Sequence, residues 1–246
     1  MIKTEGIVLG EMKFKDSSKI ITLYTKKLGK IPVLAQGVYR PKSQLLAATQ
    51  SFSLSEFCLK KGKNFYYIIQ ADLIDSFYSI RENIERLAYG FYLLELVEKA
   101  TPDEEENQKL FLLLEKGLLS LANMDKDFVR FIAAYELKFI SFIGYRPYLD
   151  NCVVCNSDIG NDNIKFSIVL GGVLCSNCLS SDFSSKPINH EIIDCLNILM
   201  YTALDELYKV NILKEVLNRL HKLLVEYILF NIEVQEFKSL NLIKDL

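Results

Sequence analysis

Two CxxC knuckles, Cys152-Val153-Val154-Cys155 and Cys175-Ser176-Asn177-Cys178, constrain this chain more than any other feature. Nineteen residues separate them. That spacing lets each knuckle turn two sulfurs towards one ion while the loop between them folds back to complete a tetrahedron. One structural zinc ion is expected, held by Cys152, Cys155, Cys175 and Cys178. Four sulfurs leave no open position for water or substrate, so the site reads as a staple and not as a catalytic metal. Disulfides or redox thiols are the alternative. Four of the six cysteines fall within 27 consecutive positions, which argues against chance placement.

The 246 residues can hold one large domain or two ordinary ones. The stretch Met1-Ile2-Lys3-Thr4-Glu5-Gly6 acquires charges and a glycine before any apolar segment, so no signal peptide is expected. No run of about 18 apolar residues occurs, so no membrane span is expected either. CxxC cysteines in an unexported chain point to metal ligands in a reducing compartment, the cytoplasm. The overall charge of -2 conceals an asymmetry. Residues 1–80 carry 12 Lys and Arg against 6 Asp and Glu, and residues 81–246 carry 17 against 25. A basic module joined to an acidic one suggests a polyanionic partner for the first alone.

Residues 1–80 have the rhythm of strands. Gly6-Ile7-Val8-Leu9 begins one, Lys19–Thr25 is β-branched and aromatic, and Ile31–Ala35 follows a turn at 26–30. Phe52–Phe57 alternates, turns at 60–64, and resumes at Phe65–Ile69. Five strands in so short a span suit a small barrel, which removes exposed edges by closure. Near Arg81 the period becomes helical, with Ile84, Leu87, Ala88, Phe91 and Leu94 on one face. Thr101-Pro102-Asp103-Glu104-Glu105 reads as a helix start: Thr as cap, Pro at the first position, acids complementing the dipole over a solvated face. Phe128 to Phe142 marks another helix, ending at Gly144, and two more are expected over about 190–208 and 211–233. The fold class is therefore α+β and multidomain. A five-stranded barrel over 1–80 precedes an all-α domain over 81–246, into which a four-cysteine zinc module at about 148–183 is inserted.

Several runs together resemble the RecO family of bacterial recombination mediators. They are Thr4–Leu9, Asp16–Thr25, Gly29-Lys30-Ile31, Ala35–Ser43, Phe142–Pro147, the two knuckles, and Gly171-Gly172-Val173-Leu174. The resemblance covers about 1–180 in order. Asn156 stands where such knuckles often carry glycine, and asparagine tolerates the left-handed backbone needed there. The resemblance implies an OB-fold for the barrel, a helical C-terminal domain, and binding of single- and double-stranded DNA with strand annealing. It also implies two protein partners, RecR and the tail of single-stranded DNA-binding protein (SSB). That tail is acidic with apolar terminal residues, so its receptor should combine an apolar groove with a few cations.

On an OB barrel the candidate phosphate contacts are Lys13, Lys15, Lys19, Lys26, Lys27, Lys30, Arg40 and Lys42, with Tyr39 as a base-stacking residue. Tyr24 and Phe14 lie among the same charges, although aromatic residues in a barrel more often pack its core. No catalytic site is expected. His190-Glu191-Ile192-Ile193-Asp194 lacks the second histidine of a zinc-protease helix, and no HxE element of a zinc deaminase accompanies the cysteines. Cys58 and Cys195 read as buried thiols. The main alternative is a non-catalytic zinc adaptor that binds only proteins, in transcription or translation. A magnesium nuclease is the other.

Overall fold

Alternation of apolar and polar residues along Ser18–Thr25 puts Ile21 and Leu23 inside and Ile20 and Thr22 outward. This is β2, the centre of a barrel that β1 (Ile2–Phe14), β3 (Gly29–Ala35), β4 (Leu54–Lys61) and β5 (Tyr66–Asp75) complete in the order β1-β2-β3-β5-β4. The computed structural model describes residues 1–160 and 163–244. All strand neighbours are antiparallel except β3 and β5, which close the barrel through Val33 opposite Tyr66 and Leu34 opposite Tyr67. β1 serves two neighbours: residues 2–7 pair with β4, and residues 6–14 pair with β2 across an irregularity between Val8 and Gly10. Val8, Ile21, Leu23, Ile31, Val33, Phe57, Leu59 and Tyr66 fill the interior. The expected barrel is present, with β1 and β5 longer than alternation alone revealed. The second half of β1 is largely exposed, and hairpin pairing holds it instead of burial.

Two compact units form, Met1–Met124 with Phe237–Leu246, and Asp125–Glu236. In the first, a short helix α1 (Leu45–Ala48) links β3 to β4, and a 3₁₀ turn at Tyr78–Glu82 leads into α2 (Ile84–Ala100). Asn83 caps α2 by accepting the Arg86 N–H at 2.9 Å. The next helix, α3 (Gln108–Ala122), starts later than the sequence suggests, because Asn107 and not Thr101 is its cap, accepting the Leu110 N–H at 3.0 Å. Thr101 instead ends α2, its hydroxyl donating to the Val97 carbonyl. The acidic run at 103–106 is therefore exposed to solvent as expected, but it is not a helix first turn. The Glu104 N–H donates to the Lys30 carbonyl at 2.9 Å, and the Glu104 carboxylate meets Lys61 Nζ at 2.8 Å and the Tyr66 hydroxyl at 3.1 Å. Gly29 permits this docking. It sits at φ 65°, and a Cβ there would lie 1.9 Å from the Glu105 carbonyl oxygen.

The chain returns to this unit at its end. Phe237 is buried with its ring edge-on to Tyr92 at 5.3 Å, and α7 (Ser239–Lys244) follows. The Glu95 carboxylate accepts the N–H groups of Lys238 and Ser239 and the Ser239 hydroxyl. Burial alone would raise the Glu95 pKa, yet these donors and Lys99 hold it below the ordinary carboxylate range.

The second unit holds α4 (Phe128–Phe142), α5 (His190–Tyr201) and α6 (Lys214–Asn231). The helix expected over 190–208 is divided. α5 stops at Tyr201, where Lys138 Nζ takes the Met200 carbonyl and the Thr202 hydroxyl takes that of Ile198, and a 3₁₀ turn covers Leu204–Lys209. α4 packs on α6, with Glu136 of α4 wholly buried and its carboxylate 2.9 Å from His221 Nδ1. Between α4 and α5 lies a small sheet of β6 (Lys165–Ser167), β7 (Gly172–Leu174) and β8 (Lys186–Pro187), ordered β7-β6-β8. Cys195 is buried as expected, whereas Cys58 is only half-buried.

Candidate metal centre and nucleic-acid interface

The small sheet brings the two knuckles together. Tyr148 exchanges hydrogen bonds with the strand at Gly171 and Val173, and the Val153 N–H donates to the Val173 carbonyl at 2.8 Å. The first knuckle is closed by the Cys152 N–H to the Ser157 carbonyl at 2.9 Å. Asn156 adopts φ 57°, the left-handed conformation its side chain tolerates, and the Tyr148 hydroxyl fixes its amide oxygen at 3.0 Å. All four sulfurs of Cys152, Cys155, Cys175 and Cys178 lie within 4.8 Å of one another. Four thiolates about 2.3 Å from a tetrahedral ion stand about 3.8 Å apart, and Cys155 and Cys175 are 3.7 Å apart. The cluster can therefore hold a metal ion. The Ser157 hydroxyl and backbone lower Cys155 to about 6, while Cys155, then burial, pushes Cys178 up to about 12.

The candidate DNA contacts separate between the two ends of the barrel. At one end, the β1–β2 hairpin tip meets the loop after β3. The Tyr39 N–H donates to the Ser17 carbonyl at 3.3 Å, and the Gly37 N–H to the Ser18 hydroxyl at 3.4 Å. Gly37 has φ 67°, and a Cβ on it would touch the Arg40 side chain at 3.2 Å, so the glycine lets that stem lie across the loop. Lys13, Lys15, Arg40 and Lys42 are exposed on this rim and form no ion pair among the described residues. Tyr39 is 46% exposed beside them. Lys15 Nζ sits 5.3 Å from the half-buried Phe14 ring.

The remaining lysines are engaged elsewhere. Lys19 is only 1% exposed and paired with Glu11, which removes it from contact with phosphate. Lys30 is also withdrawn: its Nζ donates to the Glu98 and Thr101 carbonyls at 2.7 and 2.6 Å, capping the end of α2 with a cation. Lys26 pairs with Glu5 at 2.7 Å and Lys27 Nζ reaches the Lys3 carbonyl, both at the opposite barrel end. Tyr24 is wholly buried against Phe111, so it is a core residue. Sequence reasoning missed Ser17 and Ser18, which join hairpin to loop. Their signal was the turn-forming Asp-Ser-Ser before a β-branched run.

In the second unit, a groove of about 220 Å³ has Ile188, Ile192 and Leu223 along its floor and Lys186, Arg219 and Lys222 around it. Lys186 is paired with Glu226 at 2.9 Å, whereas Arg219 and Lys222 are exposed. No helix among the described residues is long and apolar enough to cross a membrane.

Comparison with known proteins bears on both regions. The family model described as "Recombination protein O N terminal" matches residues 1–77, and "Recombination protein O C terminal" matches 81–241. The DNA repair protein RecO of Alkaliphilus metalliredigens is 36% identical over 244 residues, 99% of each chain. That of Acetivibrio thermocellus is 33% identical over 245 residues, 100% of this chain and 97% of its own. The chain belongs to the RecO family. It is thereby a DNA repair and recombination mediator, built as a closed OB-like barrel followed by a helical region that carries the cysteine cluster. The Bacillus pumilus RecO protein, 33% identical over 228 residues, covers 92% of this chain, so the likeness to the RecO family extends beyond the knuckles.

Proposed function

We propose that this chain binds single- and double-stranded DNA on the barrel rim formed by Lys13, Lys15, Tyr39, Arg40 and Lys42. There it anneals complementary strands and, with RecR, helps load recombinase on SSB-coated single strands. The observation that supports this most is the hydrogen-bonded junction of hairpin tip and loop, which gathers four cations with no ion pair among the described residues around an exposed tyrosine. Two DNA strands repel each other. A basic rim holding both lowers that repulsion, while contacts to phosphate leave the base edges free to pair. Tyr39 can stack on an unpaired base, a contact of about 1–3 kcal/mol. No bond is made or broken, so the function requires neither a catalytic residue nor nucleotide hydrolysis. Residues 1–80 form the DNA-handling module, and one structural zinc ion holds the module at about 148–183 through Cys152, Cys155, Cys175 and Cys178. The setting is the bacterial cytoplasm.

The groove over Ile188, Ile192 and Leu223 is the proposed seat of the SSB tail. Its apolar floor suits the tail's terminal residues, and Arg219 and Lys222 suit its acids. The experiment is annealing of complementary strands, bare and SSB-coated, without ATP. The wild-type protein anneals both. Arg219→Glu with Lys222→Glu anneals bare strands normally and loses at least about tenfold on coated ones, the effect of about 1.4 kcal/mol. Strict ATP dependence would contradict the annealing mechanism. Failure to bind bare DNA at all would leave a protein-only adaptor.

A further inference from the structure

We propose that Cys155 is a modification site for hydroperoxides, and that its oxidation opens the metal centre. This rests on the four cysteines holding zinc. The four sulfurs are unequal in reach: Cys152 and Cys175 are buried, Cys178 is half-buried, and Cys155 is exposed at the knuckle tip beside the exposed Val154. A small oxidant therefore meets Cys155 first, and susceptibility to oxidation follows thiolate character and exposure. The Cys175 sulfur, 3.7 Å away in the other knuckle, lies within reach as the resolving partner. The Ser157 hydroxyl lies 2.8 Å from Cys155 Sγ. With the thiolate bound to zinc this hydroxyl is the donor, and it withholds electron density from the nucleophile.

The chemistry balances with a hydroperoxide as the only oxidant. The Cys155 thiolate attacks one peroxide oxygen, the O–O bond breaks, and a sulfenic acid forms as hydroxide or alkoxide leaves. The Cys175 thiolate then attacks the Cys155 sulfur, an S–S bond forms, and the S–O bond breaks to release hydroxide. Two thiolates have lost two electrons and the peroxide has gained them, and two protons from the buffer neutralise the oxyanions. Only Cys152 and Cys178 would then remain as ligands, too few to hold a zinc ion, which would be released. A thiol reductant reverses the disulfide.

The test uses the full chain. Elemental analysis comes first, and absence of zinc would overturn the zinc reading itself, independently of the oxidation. The zinc-loaded protein is then titrated with hydrogen peroxide in the presence of a chromogenic chelator, followed by peptide mapping. The expected result is release of about one zinc per peroxide consumed, appearance of a Cys155–Cys175 disulfide, and restoration by dithiothreitol plus zinc. Ser157→Ala keeps all four ligands and should release zinc about fivefold faster, the rate equivalent of removing one hydrogen bond. Zinc retained while peroxide is consumed, a first oxidation at Cys152 or Cys178, or a Cys152–Cys155 disulfide would each overturn the proposal. An unchanged rate in Ser157→Ala would remove the serine's role.

Discussion

Cys175→Ser should yield a protein that holds no zinc and whose 148–189 segment is open to protease and to amide exchange, while the barrel stays folded. The reason lies in how little else is buried immediately around the sulfurs. Around the sulfurs the buried cluster is Cys152, Leu174 and Cys175, and the sheet that joins the knuckles has strands of three, three and two residues. Structural zinc binding contributes about 10–16 kcal/mol in small metal-dependent folds, comparable with the whole stability of a typical domain. Loss of one thiolate should therefore have a large effect on this region. DNA binding on the rim should persist, because none of the rim residues belongs to the unit that contains the cysteines. Zinc stoichiometry and hydrogen exchange check the first statement. A zinc-free Cys175→Ser protein with unchanged protection over 148–189 would show that the knuckles are not the staple.

His221→Ala should destabilise the second unit by about 3 kcal/mol, because it strips a partner from a buried carboxylate. Glu136 is wholly buried, and its oxygen lies 2.9 Å from His221 Nδ1. Burial opposes the charge on His221, but the Glu136 carboxylate outweighs it and raises the imidazole pKa above its ordinary value. A folded-state pKa above the unfolded one stabilises the protein fully below the unfolded value, about 6.5. That stability is lost as pH rises through the folded value. Denaturant unfolding of the wild type should show the second unit weakening from pH 6 towards alkaline pH, a slope that Glu136→Gln flattens. Greater stability at alkaline pH than at pH 6 would reverse the assignment.

The sequence carried the elements with strong local signals. β-branched alternation announced the barrel, and the spacing of Cys152, Cys155, Cys175 and Cys178 announced their convergence, because both are short-range patterns. What it hid depended on residues distant in the chain. The docking of Glu104 on Lys30 and Lys61, which moved the start of α3 to Asn107, joins segments far apart in sequence. So does the return of Phe237 to Tyr92. The lysines show the same limit. Charge counting could not tell Lys19, paired inside the barrel wall with Glu11, from Lys15, exposed at the hairpin tip. Only the hydrogen bonds of Ser17 and Ser18 to the loop at 37–39 reveal which cations share a rim.

The salt dependence of single-strand binding shows whether DNA sits on the rim of Lys13, Lys15, Arg40 and Lys42. A protein carrying Lys13→Ala, Lys15→Ala, Arg40→Ala and Lys42→Ala is compared with one carrying Lys26→Ala and Lys27→Ala at the opposite barrel end. The slope of log affinity against log salt should fall by about 0.7 for each phosphate that the rim variant no longer neutralises, and remain at the wild-type value in the other. A rim variant that keeps the full wild-type slope would contradict the assignment of DNA binding to this surface.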